Sequence, residues 1–261
     1  MTPVQVHNFS YGIFNPALGY AMSCLGAFLG LRCITRARAY TGAARAAWLV
    51  VASVSLGATG IWVMHFIAML GFTIPGQQIT YSVPITLASM LLAIVVVGIG
   101  LFIVGYSRSG GVRPLLAGGI IIGVGVATMH YVGMDAMSMQ GDVVRYNLGL
   151  VAVSVLIAIV AGTAALWAGL RVRGIRSTLL ASLVMGVAVS GMHYTGMAAM
   201  HVYVSTGAMS MSGMSAEGFL LPLLLGVSVL TFLMTLVISL SPTEEEIHEE
   251  ASLRERLRAS G

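Results

Sequence analysis

Seven runs of mostly apolar residues, each close to the ~20 that a helix needs to cross a bilayer, make up most of this chain and decide its class. They fall at residues 16–32, 46–69, 83–106, 114–137, 148–170, 178–204 and 218–240. Charged residues are only 8% of the 261 and gather between the runs. A soluble domain carries about 25%, so this composition cannot cover a water-facing surface. Disorder would require the opposite bias. The expected fold is therefore an all-α membrane protein with seven transmembrane helices. Residues 1–240 would form the membrane domain and residues 241–261 a short cytoplasmic tail without room for a catalytic output domain. Gly, Ala and Ser recur inside the runs, and in lipid such small residues let helix backbones approach closely. Cys24 and Cys33 lie in or beside an apolar run and make no disulfide framework.

Arginine supplies all 13 basic residues, and its placement predicts an orientation. Arg32, Arg36, Arg38 and Arg45 follow the first run, Arg108 and Arg113 the third, and Arg171, Arg173 and Arg176 the fifth. Arg254, Arg256 and Arg258 lie in the tail, and Arg145 alone falls at the opposite end. The positive-inside rule then puts the N-terminus in the periplasm and the C-terminus in the cytoplasm. Basic residues so placed mark membrane topology and give no reason to expect nucleic-acid binding. The N-terminal residues lack the basic segment and cleavable apolar core of a signal peptide.

A threefold repeat runs through the spans. The second ends in Met64-His65-Phe66-Ile67, the fourth in Met129-His130-Tyr131-Val132 and the sixth in Met192-His193-Tyr194-Thr195. The histidines are 65 and 63 residues apart, each with a small residue three positions on and Met69, Met134 or Met197 at the fourth. One period holds two spans. The first six helices are thus expected as three repeated hairpins about a pseudo-threefold axis along the membrane normal. Ala58, Gly123 and Gly186, seven residues before the histidines, would let the three motif helices converge. His65, His130 and His193 would then meet near the periplasmic face.

Polar side chains inside a bilayer are costly and are functional candidates by default. Imidazole with thioether suits copper, and thioether favours Cu(I). The candidate ligands are His65, His130 and His193, with Met69, Met134 and Met197 one turn further out and Met64, Met129 and Met192 beside the histidines. Met137, Met139, Met200, His201, Met209, Met211 and Met214 add soft donors nearby. Asp135 and His201 are candidate supporting groups, Asp135 through a hydrogen bond that would fix an imidazole tautomer. Taken singly, each residue has a plainer role. Methionine packs, a lone histidine bonds a neighbour or water, and Trp62, Tyr131 and Tyr194 suit an interfacial aromatic belt. Repetition of the whole pattern at matched depth is what packing alone leaves unaccounted for.

The three motifs resemble the MHYT domain, an integral membrane sensor family of bacteria, over about residues 11–203. Met192-His193-Tyr194-Thr195 matches the name in full, the second copy departs at Val132, and the first at Phe66 and Ile67. The resemblance implies residence in the bacterial inner membrane and copper bound by the motif Met and His residues. It also implies sensing of a diatomic gas such as O2, CO or NO, and signalling through a cytoplasmic module, here a separate partner protein. Tyr131 and Tyr194 would orient ligands, and Phe66 would make the site asymmetric. Beside a gas- or redox-responsive copper sensor, two alternatives stand: a copper-dependent membrane enzyme acting on a small or lipid-soluble substrate, and a copper-binding or delivery protein. Haem is disfavoured, because Gly-rich convergence leaves little room for a macrocycle.

Overall fold

The computed structural model describes residues 4–107, 111–139, 142–204 and 213–241. Among these, seven helices are long and apolar enough to cross a membrane: α1 (Phe14–Ala39), α2 (Gly42–Leu70), α3 (Val83–Gly105), α4 (Val112–Asp135), α5 (Leu148–Arg171), α6 (Ile175–Ala198) and α7 (Gly218–Leu240). Leu, Ile and Val on their outward faces, such as Leu91, Leu156, Val184 and Leu225, are exposed. That surface suits lipid and would be untenable in water. The chain is a multi-pass membrane protein. Arg254, Arg256, Arg258 and the acidic tail residues lie outside the described residues, as does Arg108.

Two boundaries differ by six residues or more from the expected runs. Helix α1 continues to Ala39, so Arg32, Arg36 and Arg38 ride on the helix instead of a loop, and Arg45 sits in the first turn of α2. The last carbonyls of a helix have no intrahelical donor and attract cations. Arg36 Nη2 accordingly donates to the Ile238 and Ser241 carbonyls at the end of α7, at 2.5 and 2.8 Å. Arg38 donates to the Leu170 carbonyl of α5 at 2.9 Å, and Arg45 to the Gly105 carbonyl of α3. Second, α6 stops at Ala198, six residues before the expected end at 204. The chain then becomes a strand in which Met200 and Val202 are buried and His201 is exposed, the period-two pattern of strand geometry.

Short strands, additional to the expected all-α bundle, cover the histidine-bearing end. Strand β1 (Thr80–Tyr81) pairs antiparallel with β2 (Met137–Ser138) and with β5 (Met214–Ser215). Strand β3 (Asp142–Tyr146) pairs antiparallel with β4 (Met200–Val204). The N-terminal residues join this cover through paired backbone hydrogen bonds between His7 and Thr73 and one from Val4 to Val202.

Helices α1 to α6 pack in sequence around a ring that α6 closes against α1, while α7 lies outside, against α1 and α2. Equivalent contacts recur in each hairpin. The backbone N–H groups of Ser10, Ser82 and Asn147 donate to the carbonyls of Gly71, Ala136 and Ala199, at 3.0, 2.8 and 2.8 Å. Each of those carbonyls lies six residues beyond a motif histidine. The close helix contacts follow the same rule. A methyl on Gly57 would strike Ile94, one on Gly123 would strike Ile159, and one on Gly186 would strike Cys24.

This last triplet corrects an expectation. The small residues before the histidines do not draw the motif helices onto one another. Each seats its helix against the first helix of the next hairpin, α2 on α3, α4 on α5 and α6 on α1. In α2 the seat is Gly57, not Ala58. Residues Ser55–Trp62 are π-helical. A π turn absorbs one extra residue without rotating the helix beyond it. Gly57 can therefore stand eight residues before His65, where Gly123 and Gly186 stand seven before theirs.

Candidate metal centre

The three motif histidines are buried to 1%, 0% and 1% exposure, at the inward faces of α2, α4 and α6. Their Nδ1 atoms converge: His65 to His193 is 3.1 Å, His65 to His130 is 3.1 Å and His130 to His193 is 3.3 Å. The rings stand nearly perpendicular to one another, at 79°, 79° and 86°, with centroids 4.9–5.0 Å apart. This is a threefold propeller with its nitrogen edge on the axis.

Each blade is held by its neighbours. The aromatic after each histidine meets it edge-on, Phe66 at 4.7 Å, Tyr131 at 4.9 Å and Tyr194 at 4.9 Å. The far edge of the ring rests on the next motif helix at the small residue three positions past its histidine. A Cβ on Gly133 would lie 2.5 Å from His65 Nε2, and one on Gly196 would collide with His130 Nε2. Both of these Nε2 atoms are buried without a hydrogen-bond partner among the described residues. The outer edges of the His65 and His130 rings are thus positioned by packing, and the inner edges meet only one another.

The arrangement is frustrated without a cation. An imidazole nitrogen carries either a proton or a lone pair. Three nitrogens in mutual contact cannot all pair donor with acceptor, so at least one pair faces proton to proton or lone pair to lone pair. A positive ion on the axis satisfies all three lone pairs at once. The point equidistant from the three Nδ1 atoms is about 1.8 Å from each, from their 3.1–3.3 Å separations, close to the ~2.0 Å of a metal–imidazole bond. No other group of three His, Cys, Asp or Glu among the described residues offers metal-ligand geometry. The donor set fits a soft or borderline metal.

The remaining candidates separate. Met64, Met129, Met192, Met69, Met134 and Met197 are all buried, none more than 4% exposed. Met64 packs toward Gly19 of α1, and Met192 lines a cavity on the axis. The Tyr131 hydroxyl bonds Ser154 Oγ of α5 at 2.8 Å, so it points away from the triad. Burial pushes the phenol of Tyr146, whose ring abuts Tyr131, up to about 12. Tyr194 packs on Phe9, and its hydroxyl is buried without a partner among the described residues. Asp135 is exposed in a groove with Tyr131 and Val155, and His201 stands on β4 with Nδ1 3.2 Å from the Ala199 carbonyl. Neither joins the triad. Trp62 is fully buried, donating to Ser89 Oγ at 3.0 Å, and belongs to no interfacial belt. Met209 and Met211 lie outside the described residues. The seats at Gly133 and Gly196 were visible in the sequence only as small residues at a fixed offset.

Three consecutive segments, residues 59–119, 123–182 and 186–248, match the MHYT family, described as a bacterial signalling protein N terminal repeat. The chain belongs to the MHYT family. Each matched copy opens within a motif helix, α2, α4 or α6, and runs on through the next helix. Among curated proteins, an uncharacterized signaling protein of Caulobacter vibrioides is 38% identical over 56% of this chain. Two proteins of Pseudomonas aeruginosa are also similar. The bifunctional diguanylate cyclase/cyclic di-GMP phosphodiesterase MucR is 35% identical over 67% of this chain, and the cyclic di-GMP phosphodiesterase NbdA is 36% identical over 69%. The match covers 17%, 26% and 23% of these relatives, so the chain spans about a quarter or less of their length. No solved structure matches. An MHYT chain of seven apolar helices is a bacterial multi-pass membrane protein of a family found in signalling proteins.

Proposed function

We propose that this MHYT chain senses a diatomic gas (O2, CO or NO) or redox state through a copper ion held by His65, His130 and His193. The observation that carries the reading is the mutual approach of three buried Nδ1 atoms to 3.1–3.3 Å. Copper would supply redox change and affinity for small gas ligands. The protein's own part is to hold three buried imidazoles together, on helices that also carry six buried methionines, and to keep water out. The arginine distribution supports a periplasmic position for the triad and a cytoplasmic arginine-rich end. Arg36, Arg38 and Arg45 tie the ends of α7, α5 and α3 together there, the place from which a shift of the motif helices would reach a cytoplasmic partner. The names of the Pseudomonas relatives support a partner that makes or degrades cyclic di-GMP. The spacing speaks against haem, since two axial nitrogens stand on opposite faces of a macrocycle. It also disfavours delivery through the bundle, because the axis inward of the triad is lined mostly by side chains without donors, such as Leu56, Ile122 and Val189, with two thioethers, Met185 and Met192, among them.

The test is metal analysis of the full chain purified without chelators, beside the His65→Ala/His130→Ala/His193→Ala variant. About one copper per chain is expected in the wild type, as for a single three-imidazole site, and less than a tenth of that in the variant. Equal copper in both would remove the site. A fluorescent reporter joined after Ser241 should mature, as it does only on the cytoplasmic side; a dark fusion would reverse the orientation.

A further inference from the structure

A cavity of about 50 Å³ lies on the bundle axis, lined by all six helices of the ring. Its position relative to the triad is fixed by the repeat. Ile61, Val126 and Val189 all line it, and each stands four residues before a motif histidine, one helical turn inward. The cavity is therefore the space directly beneath the imidazole propeller. Ser23 brings the one polar side chain in its lining. A water molecule needs two to four polar partners to occupy a cavity, and apolar cavities stay dry and take apolar guests.

The lining is not equally covered. Residues contributed by α1 to α4 are buried throughout. Those from α5 and α6 include the partly exposed Ala161, Ala165, Ala188 and Val189. Small side chains at these partly exposed positions leave the cavity least covered on the side of α5 and α6. From this asymmetry we infer that a port between α5 and α6 admits an uncharged molecule of diatomic size from the bilayer into the cavity beneath the triad. The inference rests on the sensor reading and gives it a route and a waiting site for its gas. The volume, about a third of the ~150 Å³ cavity that accommodates benzene, favours a guest of a few atoms. Apolar lining excludes ions, and the bilayer is where apolar gases concentrate.

The experiment uses xenon as the probe, on the full chain in nanodiscs after metal has been stripped with chelator. Xenon NMR should reveal a bound population in slow or intermediate exchange with the lipid-dissolved gas. Ala161→Leu and Ala188→Leu, made separately, each place a branched side chain in the port and should lower bound xenon or its exchange rate about tenfold, as cavity filling does. Ala164→Leu, at an exposed position on α5 outside the lining, should change neither. No bound xenon in the wild type, or a signal indifferent to both port variants, overturns the inference. Copper is measured on the same preparations before stripping. Bound xenon without copper leaves the cavity and removes the metal centre; copper without xenon does the reverse.

Discussion

Gly133 and Gly196 owe their identity to a side chain on another helix. Each lies under the Nε2 edge of the preceding repeat's histidine, so a single methyl would push that imidazole off its seat. Gly133→Ala and Gly196→Ala should each destabilise the protein by about 1–3 kcal/mol, the range for overpacking a tight contact, and should lower copper content in step. Gly191→Ala, on the same helix as Gly196 but with nothing within 4 Å of an added Cβ, should stabilise by up to about 1 kcal/mol through helix propensity and leave copper content unchanged. Thermal unfolding and metal analysis of the three variants separate a local seat from general helix propensity. The histidines, their aromatic followers and the small residue at a fixed offset were all legible in the sequence. What that small residue does was not. The side chain it meets is about 65 positions away, and only the rotation of two helices about their axes brings the two together. The tyrosine hydroxyls illustrate the same limit. A motif name suggests that Tyr131 orients a ligand, whereas Ser154, on a helix the motif does not mention, takes its hydroxyl.

Helix α2 carries one residue more than its counterparts between its seat on α3 and its histidine, and the π-helical stretch Ser55–Trp62 holds that excess. Removing a residue from a regular α-helix rotates everything beyond it by about 100°. Removing one from a π turn restores the α-helix and leaves both flanks in place. Deletion of Ala58 should therefore keep His65 on the axis and leave copper content unchanged. Deletion of Ala127, in the regular helix α4 at a point between Gly123 and His130, should swing His130 away and abolish copper binding. Equal loss in both deletions would mean that the π segment serves something other than register. The sequence disclosed the hairpin period and the seven spans, because hydropathy and self-similarity are summed over many residues. The π insertion escaped, since aligning three motifs on their histidines gives Ala58 a plausible partner and conceals a one-residue offset. The end of α6 escaped for a related reason. Met200, Val202 and Val204 are as apolar as the span they follow, and only pairing with β3 makes them a strand.

Viewed whole, the molecule assembles its metal-ligand candidates from three points in the chain 65 and 63 residues apart. An unfolded or partly inserted chain cannot present three imidazoles at one point, so an ion that binds the triad binds the native state alone. Binding free energy then becomes folding free energy. At a free-ion concentration 100 times the dissociation constant the native state gains about 2.7 kcal/mol. For a chain of this size that corresponds to a rise of about 5–10 °C in the unfolding midpoint, taking ~2–4 °C per kcal/mol. Copper added to stripped protein should raise the midpoint by that amount, chelator should reverse it, and the His65→Ala/His130→Ala/His193→Ala variant should show neither change. The size of the shift distinguishes a site inside the propeller from one on the surface methionines. A surface site formed by neighbouring residues survives partial unfolding and moves the midpoint little. The axial site also relieves the clash among three Nδ1 atoms that cannot all pair with one another, so loading it both adds a ligand and removes a conflict built into the fold. A midpoint indifferent to copper, in protein that nonetheless retains the metal, would move the ion off the axis and leave the propeller as a packing device.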